Sequence, residues 1–274
     1  MYRESSVRQG VGRRDLTPPS SGRSKGRFAP FGPPLMSNVR RAVAKSDLLE
    51  RPTKEQIALL PPFAGLSLDQ IVVLRSPAQL EDAYRAIERE KFVGFDTETK
   101  PTFTKGADAT GPHVVQFALR NRAFIVQLGK ELPLPFLKSV IESREIVKVG
   151  FGLKSDRGPL FRRLGVEVGA VVELTGTLRA LRYKQALGAK AAVAIVLGQR
   201  LQKSKSVTTS NWASPELKPN QLLYAANDAY AALCVFRALG SPHAPTESPT
   251  PNPSIERTSS SWLRQLPAAA HVER

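Results

Sequence analysis

Five side chains in this chain are of types that work together in metal-assisted hydrolysis. Asp96 and Glu98 stand in Val93-Gly94-Phe95-Asp96-Thr97-Glu98, Asp156 follows Val149-Gly150-Phe151, and Tyr224 and Asp228 stand in Tyr224-Ala225-Ala226-Asn227-Asp228. Four carboxylates can hold two divalent cations, because hard cations take oxygen ligands. One phenol can steer a water. Together they are what cleaving a phosphodiester at a chain end requires.

The spacings make a common site possible. Residues two apart in a strand point to one side, so Asp96 and Glu98 project together where the strand gives way to loop. Residues four apart in a helix share a face, so Tyr224 and Asp228 point to one spot. Asp156 comes just after a buried run, at the strand edge where open α/β sheets bind ligands. Each fragment alone is weak: an Asp-x-Glu is usually solvated charge, and a Tyr-x-x-x-Asp is usually one packed ring and one surface acid. One detail favours chemistry. Asp96 ends the apolar run Phe92-Val93-Gly94-Phe95, and an acid there is costly unless it is paired or metal-bound.

The elements that must position these residues alternate strand and helix. Residues 53–60 read as a short helix with a Thr53/Gln56 capping box. The β-branched run 71–74 is a strand, and Ser76-Pro77-Ala78-Gln79 opens a helix to about Glu90. A buried strand spans 92–96. Strands 114–119 and 123–128 form a hairpin through Arg120-Asn121-Arg122. Residues 134–142 are helical, 146–151 a strand, and a helix runs from about Asp156 to Leu164. A short strand at 171–174 precedes helices near 175–183 and 188–198, and Pro219 opens a last helix ending near Gly240. The fold class is α/β, a mixed sheet with a hairpin, flanked by helices.

The formal charge of +16 is uneven. Residues 1–45 hold ten Lys/Arg against two Asp/Glu in a Gly-, Pro- and Ser-rich context, and read as a basic tail, with Met36 an alternative start. Residues 241–274 read as a Ser/Thr/Pro-rich tail, which leaves 46–240 as the folded domain. A basic tail on a basic domain points to a polyanion such as nucleic acid. The single cysteine, Cys234, excludes an internal disulfide and reads as a small buried side chain; His113, His243 and His271 lack zinc-ligand spacing. No apolar run is long enough to span a bilayer, and no signal core follows the basic N-terminus. The expected location is cytoplasmic, with an organelle transit peptide as the alternative. Gly150-Phe151-Gly152 is not a dinucleotide fingerprint. Between Asp156 and Tyr224 basic residues outnumber acids. Lys203 and Lys205 are the best candidates there for phosphate contact, and Trp212 fits an anchoring role better than base stacking.

In order and context, these fragments resemble the 3′–5′ exonucleases of the DEDD superfamily, in the branch with tyrosine in the third motif. The matching stretches are Val93 to Glu98, Val115-Gln116-Phe117, Lys148-Val149-Gly150 leading to Asp156, Val172-Glu173-Leu174-Thr175, Ser210-Asn211-Trp212, and Gln221 to Tyr230. The likeness covers about residues 70–240 and is nearest to Werner-type exonuclease domains and their stand-alone bacterial relatives, with ribonuclease D more distant. The sister branch places histidine five residues before the last aspartate, where this chain has Leu223. The resemblance implies a ribonuclease H-like sheet and two Mg²⁺ or Mn²⁺ ions. It gives Asp96 as the shared ligand, Glu98 and Asp228 completing one metal site, and Asp156 supporting the other through water. Tyr224 would orient the attacking water, and nucleoside 5′-monophosphates would leave the 3′ end. DNA in repair or end processing is the favoured substrate; RNA trimming of the ribonuclease D kind and a non-catalytic nucleic-acid-binding module are the alternatives.

Overall fold

The structure, a computed structural model, describes residues 49–102, 110–179, 183 and 185–240. The two expected tails, the alternative start at Met36 and most of the end of the helix expected at 175–183 lie outside them.

Local chemistry sets the first elements. Helix α1 (Lys54–Ala58) starts at Thr53, whose hydroxyl accepts from Gln56 N while the Gln56 side chain accepts from Thr53 N. The same reciprocal box, Ser76 with Gln79, opens α2 (Pro77–Glu90) behind β1 (Ile71–Val73). Then come β2 (Phe92–Glu98), β3 (Val114–Ala118), β4 (Ala123–Gln127), α3 (Leu134–Ile141), β5 (Val147–Gly150), α4 (Leu153–Leu164), β6 (Val171–Glu173), α5 (Leu174–Leu178), α6 (Ala189–Leu197), α7 (Lys205–Thr208) and α8 (Pro219–Ala238).

The six strands form one sheet in the order β1-β4-β3-β2-β5-β6. The β2–β3–β4 meander is antiparallel, while β1 on β4, β5 on β2 and β6 on β5 are parallel. Because β2 and β5 run the same way, the end of β2 and the start of α4 meet at one edge. Alternation sorts the two faces of the sheet. Val93, Phe95, Val115, Phe117 and Val126 pack on one side with Ala83, Ile87, Leu137 and Leu160 from α2, α3 and α4. On the other side Val114, Ala118, Ala123 and Ile125 meet Ala225, Ala226 and Ala229 of α8. The alanines bring α8 close to the sheet, and Gly94 permits the closest approach: a Cβ there would lie 2.0 Å from the Ala229 carbonyl oxygen.

The mixed sheet, hairpin and flanking helices are as the sequence predicts. Four details differ. Strand β2 continues through Glu98, since Asp96, Thr97 and Glu98 pair with Gln116, Val115 and Val114, so both acids stand on strand rather than at a strand-to-loop junction. Helix α4 starts at Leu153, after Gly152 takes φ +75°, a left-handed conformation that glycine adopts freely. Asp156 is therefore in a first helical turn. Helix α7 was not foreseen, and Cys234 is only partly buried. Among the described residues no helix is long and apolar enough to cross a membrane.

Candidate active site

Asp96 lies on the α8 face of β2, Glu98 two residues on, and Asp228 on the helix that covers them. One ligand oxygen from each of the three can be chosen so that all lie within 4.8 Å of one another. Asp156 stands outside this trio. Its Oδ1 accepts from Thr97 Oγ1 at 3.1 Å, which ties the first turn of α4 to the strand between the two other acids. Thr97 N also donates to Asp96 Oδ1 at 2.8 Å.

Electrostatics reflect this crowding. Burial, then repulsion from Asp228, pushes Asp96 up to about 7. Burial, then Asp96 beside it, pushes Glu98 up to about 9. Burial raises Asp156 to about 6, and burial also raises Asp228. Buried carboxylates that repel one another are stabilised by a cation placed among them. The donor set is all oxygen, which suits a hard divalent ion. On both grounds the residues fit the metals that the sequence implies.

Tyr224 is one helical turn before Asp228. Its hydroxyl is 2.9 Å from Thr208 Oγ1 of α7, its ring lies 5.9 Å from that of Trp212, and burial, then Asp228, pushes the phenol up to about 12. Trp212 is 1% exposed and its indole N–H donates to the Thr208 carbonyl at 3.3 Å. It anchors α7 against Tyr224, as expected, and no face is free for a base. Gln221 fixes the same loop to α8 through Ser210 Oγ at 2.9 Å.

The two lysines expected to hold phosphate have different surroundings. Lys205 is exposed on α7. Lys203 turns inward, with Nζ 2.7 Å from Asp228 Oδ2 and 5.6 Å from the centre of the Tyr224 ring. Burial works against its charge, yet Asp228 beside it holds its pKa above the ordinary lysine value.

Two supporting residues escaped the reading of the sequence as site members. Glu173, at the end of β6, accepts from Gly152 N at 3.0 Å and Thr175 N at 3.2 Å, and so fixes the turn that launches Asp156. Arg163 of α4 donates to the Thr110 and Leu128 carbonyls, each at 2.6 Å, and so ties α4 to the chain before β3 and to the residue that follows β4. Neither contact is visible in one sequence, where Glu173 stands in a family-like stretch with no role of its own and Arg163 is one of several basic residues after Asp156. An open cavity of about 490 Å³ adjoins Tyr224 and Asp228, walled by Phe63, Leu66, Leu201 and Leu223 with Gln202 and Ser204.

The family model for 3′–5′ exonucleases matches residues 71–242, well over half of the chain. The chain belongs to this family. All five residues of the acidic and tyrosine set fall within the matched exonuclease domain. The bifunctional 3′–5′ exonuclease/ATP-dependent helicase WRN of Mus musculus is 31% identical over 162 residues, 58% of this chain but 12% of that protein. A 3′–5′ exonuclease of Arabidopsis thaliana is 29% identical over 150 residues, 54% of this chain and 52% of that one. The match thus spans about half, or much less, of these relatives' length. Among solved structures, Trypanosoma brucei RNase D superposes with a TM-score of 0.55 at 19% identity, covering 71% of this chain and 80% of that one. The exonuclease domain of Aedes aegypti Nibbler does so with a TM-score of 0.54 at 21% identity, covering 64% and 88%. These place the exonuclease domain in a ribonuclease H-like fold.

Proposed function

We propose that this chain is a metal-dependent 3′–5′ exonuclease that removes nucleoside 5′-monophosphates from nucleic acid, with DNA favoured. The observation that carries the reading is the convergence of Asp96, Glu98 and Asp228 within 4.8 Å, in a family-matched domain, with Tyr224 one turn from Asp228.

Asp96, Glu98, Asp228 and, through water, Asp156 would hold two Mg²⁺ or Mn²⁺ ions, which when bound supply charge stabilisation and an acidified water. The protein's own groups do the positioning. By its likeness to the family, Asp96 would be the ligand shared by the two ions, with Glu98 and Asp228 beside it and Asp156 tied to the neighbouring Thr97 hydroxyl. Tyr224 keeps its proton at neutral pH, since its pKa is pushed to about 12, so it orients water by hydrogen bonding rather than by acting as a base. In the reaction, water oxygen bonds to the terminal phosphorus, the bond from phosphorus to the neighbouring O3′ breaks, and that oxygen gains a proton. The cavity beside Tyr224 and Asp228 offers room for the chain end.

For DNA in end processing or repair, the support is the stronger sequence likeness to the WRN protein. The second reading, trimming of RNA 3′ ends, is favoured by the fold shared with Trypanosoma brucei RNase D, one structure of which contains RNA U12. The complete acid set argues against a non-catalytic binding module.

The test uses 5′-labelled single-stranded DNA, 3′-recessed duplex DNA and single-stranded RNA, each with Mg²⁺, Mn²⁺ or EDTA. A ladder shortening from the 3′ end, abolished by EDTA and strongest on DNA, is expected. A stronger RNA lane selects the second reading, and no ladder on any substrate refutes the enzyme.

A further inference from the structure

The mechanism above leaves Lys203 without a task, although it makes a close ion pair at the site itself. Its ammonium is 2.7 Å from Asp228 Oδ2, with the two side chains 25% and 5% exposed. Asp228 is one of the three carboxylates that fit a cation, so the lysine stands on an acid that a divalent ion would also use. Its charge also reaches Asp96 and Glu98, whose pKa values it lowers. This position suits a cation that counters the carboxylates better than one directed at a distant phosphate.

We propose that Lys203 competes with the divalent ion for Asp228 and thereby sets the metal affinity of the carboxylate cluster. The inference rests on the exonuclease reading of the same site. A monovalent ammonium and a divalent ion a few ångströms apart repel each other strongly in a partly buried setting, so both cannot hold Asp228 at full strength. The backbone around Lys203 is anchored on both sides. Leu201 is buried in the core with α6 and α8, Val207 is buried against Trp212 and α8, and Lys190 Nζ donates to the Lys203 carbonyl at 3.4 Å. The ammonium therefore leaves Asp228 by rotating on its own flexible stem, not by moving the chain. The cavity lined by Gln202, Ser204, Tyr224 and Asp228 lies beside that path. Metal entry would release a positive charge toward the space where a phosphate group arrives, linking metal loading to substrate capture through one side chain.

Calorimetric titration of Mn²⁺ into full-length wild type, Lys203→Met and Lys203→Arg, without nucleic acid, tests this. Thermal unfolding serves as the control for folding. Lys203→Met should bind Mn²⁺ at least about tenfold more tightly than wild type, as removal of a nearby positive charge requires, and Lys203→Arg should stay near wild type. Unchanged or weaker binding by a folded Lys203→Met overturns the proposal, weaker binding meaning that Lys203 supports Asp228 as a ligand. A second measurement needs no variant. Reductive methylation read by mass spectrometry should label Lys203 faster with Mg²⁺ than with EDTA, while Lys205 labels equally in both. Equal labelling of Lys203 in the two conditions overturns it too. If wild type binds no Mn²⁺ at all, the metal-centre reading fails together with this one. Metal binding without the Lys203 effect sinks the lysine proposal alone.

Discussion

Gly94 of β2 and Ala229 of α8 are in backbone contact: a Cβ on Gly94 would come within 2.0 Å of the Ala229 carbonyl oxygen. This contact sets the distance between the strand that carries Asp96 and the helix that carries Asp228. Gly94→Ala must push α8 away from the sheet. Since catalytic groups tolerate little displacement, activity should fall roughly a hundredfold, with a stability loss of about 1–3 kcal/mol. Steady-state rates and denaturant unfolding check both. A variant with wild-type rate would show that the α8–β2 spacing does not set the site.

Thr208 is placed to fix the rotation of the Tyr224 phenol, its Oγ1 being 2.9 Å from the phenol hydroxyl. Tyr224→Phe should lower kcat by roughly a hundredfold, and Thr208→Val by a smaller factor with KM little changed. In the Tyr224→Phe background, Thr208→Val should have no further effect. Additive losses in that double-mutant cycle would mean the two hydroxyls act separately.

Stability should depend on pH through the acidic cluster. Burial first, and neighbouring carboxylates second, hold the pKa of Asp96 at about 7 and of Glu98 at about 9, above the values of 3.8 and 4.5 expected when unfolded. The folded chain thus binds these protons more tightly. The stability they contribute is complete below the unfolded values and is lost as pH rises through the folded ones. In EDTA the melting temperature should fall from about pH 5 to about pH 9, and Asp96→Asn should flatten that fall. Adding Mg²⁺ at the alkaline end should restore stability, because the ion binds the folded cluster. Calorimetric scans that show identical slopes for wild type and Asp96→Asn would contradict the charge assignment.

Lys148 of β5 is fully buried, and its Nζ donates to the Ser143 and Ile146 carbonyls at 2.6 and 2.7 Å. Lys148→Met would leave both carbonyls without that donor and should cost about 2–4 kcal/mol. Urea unfolding measures it, and a loss under 1 kcal/mol, on the order of one ordinary hydrogen bond, would show that the loop finds other donors.

Periodicity made part of this site legible. A strand's alternation put Asp96 and Glu98 on one side, and a helix's four-residue repeat put Tyr224 beside Asp228. The Thr53/Gln56 and Ser76/Gln79 boxes marked two helix starts because capping is a local interaction. What escaped was set by distant neighbours. Lys203 and Lys205 are two residues apart in a basic run, and nothing local says that one turns in to Asp228 while the other stays in solvent. Glu173 gains its role only when β6 lies beside β5 and brings Gly152 N within 3.0 Å. Helix α7, four residues long, is held by Trp212 and α8 rather than by its own propensity, so no pattern announced it.

The measurement closest to the central claim compares wild type with Asp96→Asn in parallel: Mn²⁺ affinity by calorimetry, and shortening of a 5′-labelled DNA strand from its 3′ end. Loss of metal affinity together with a rate loss of roughly a thousandfold or more, from a protein that melts no lower than wild type in EDTA, is the predicted result. A folded Asp96→Asn that binds Mn²⁺ and degrades DNA like wild type would show that this cluster is not the catalytic metal centre.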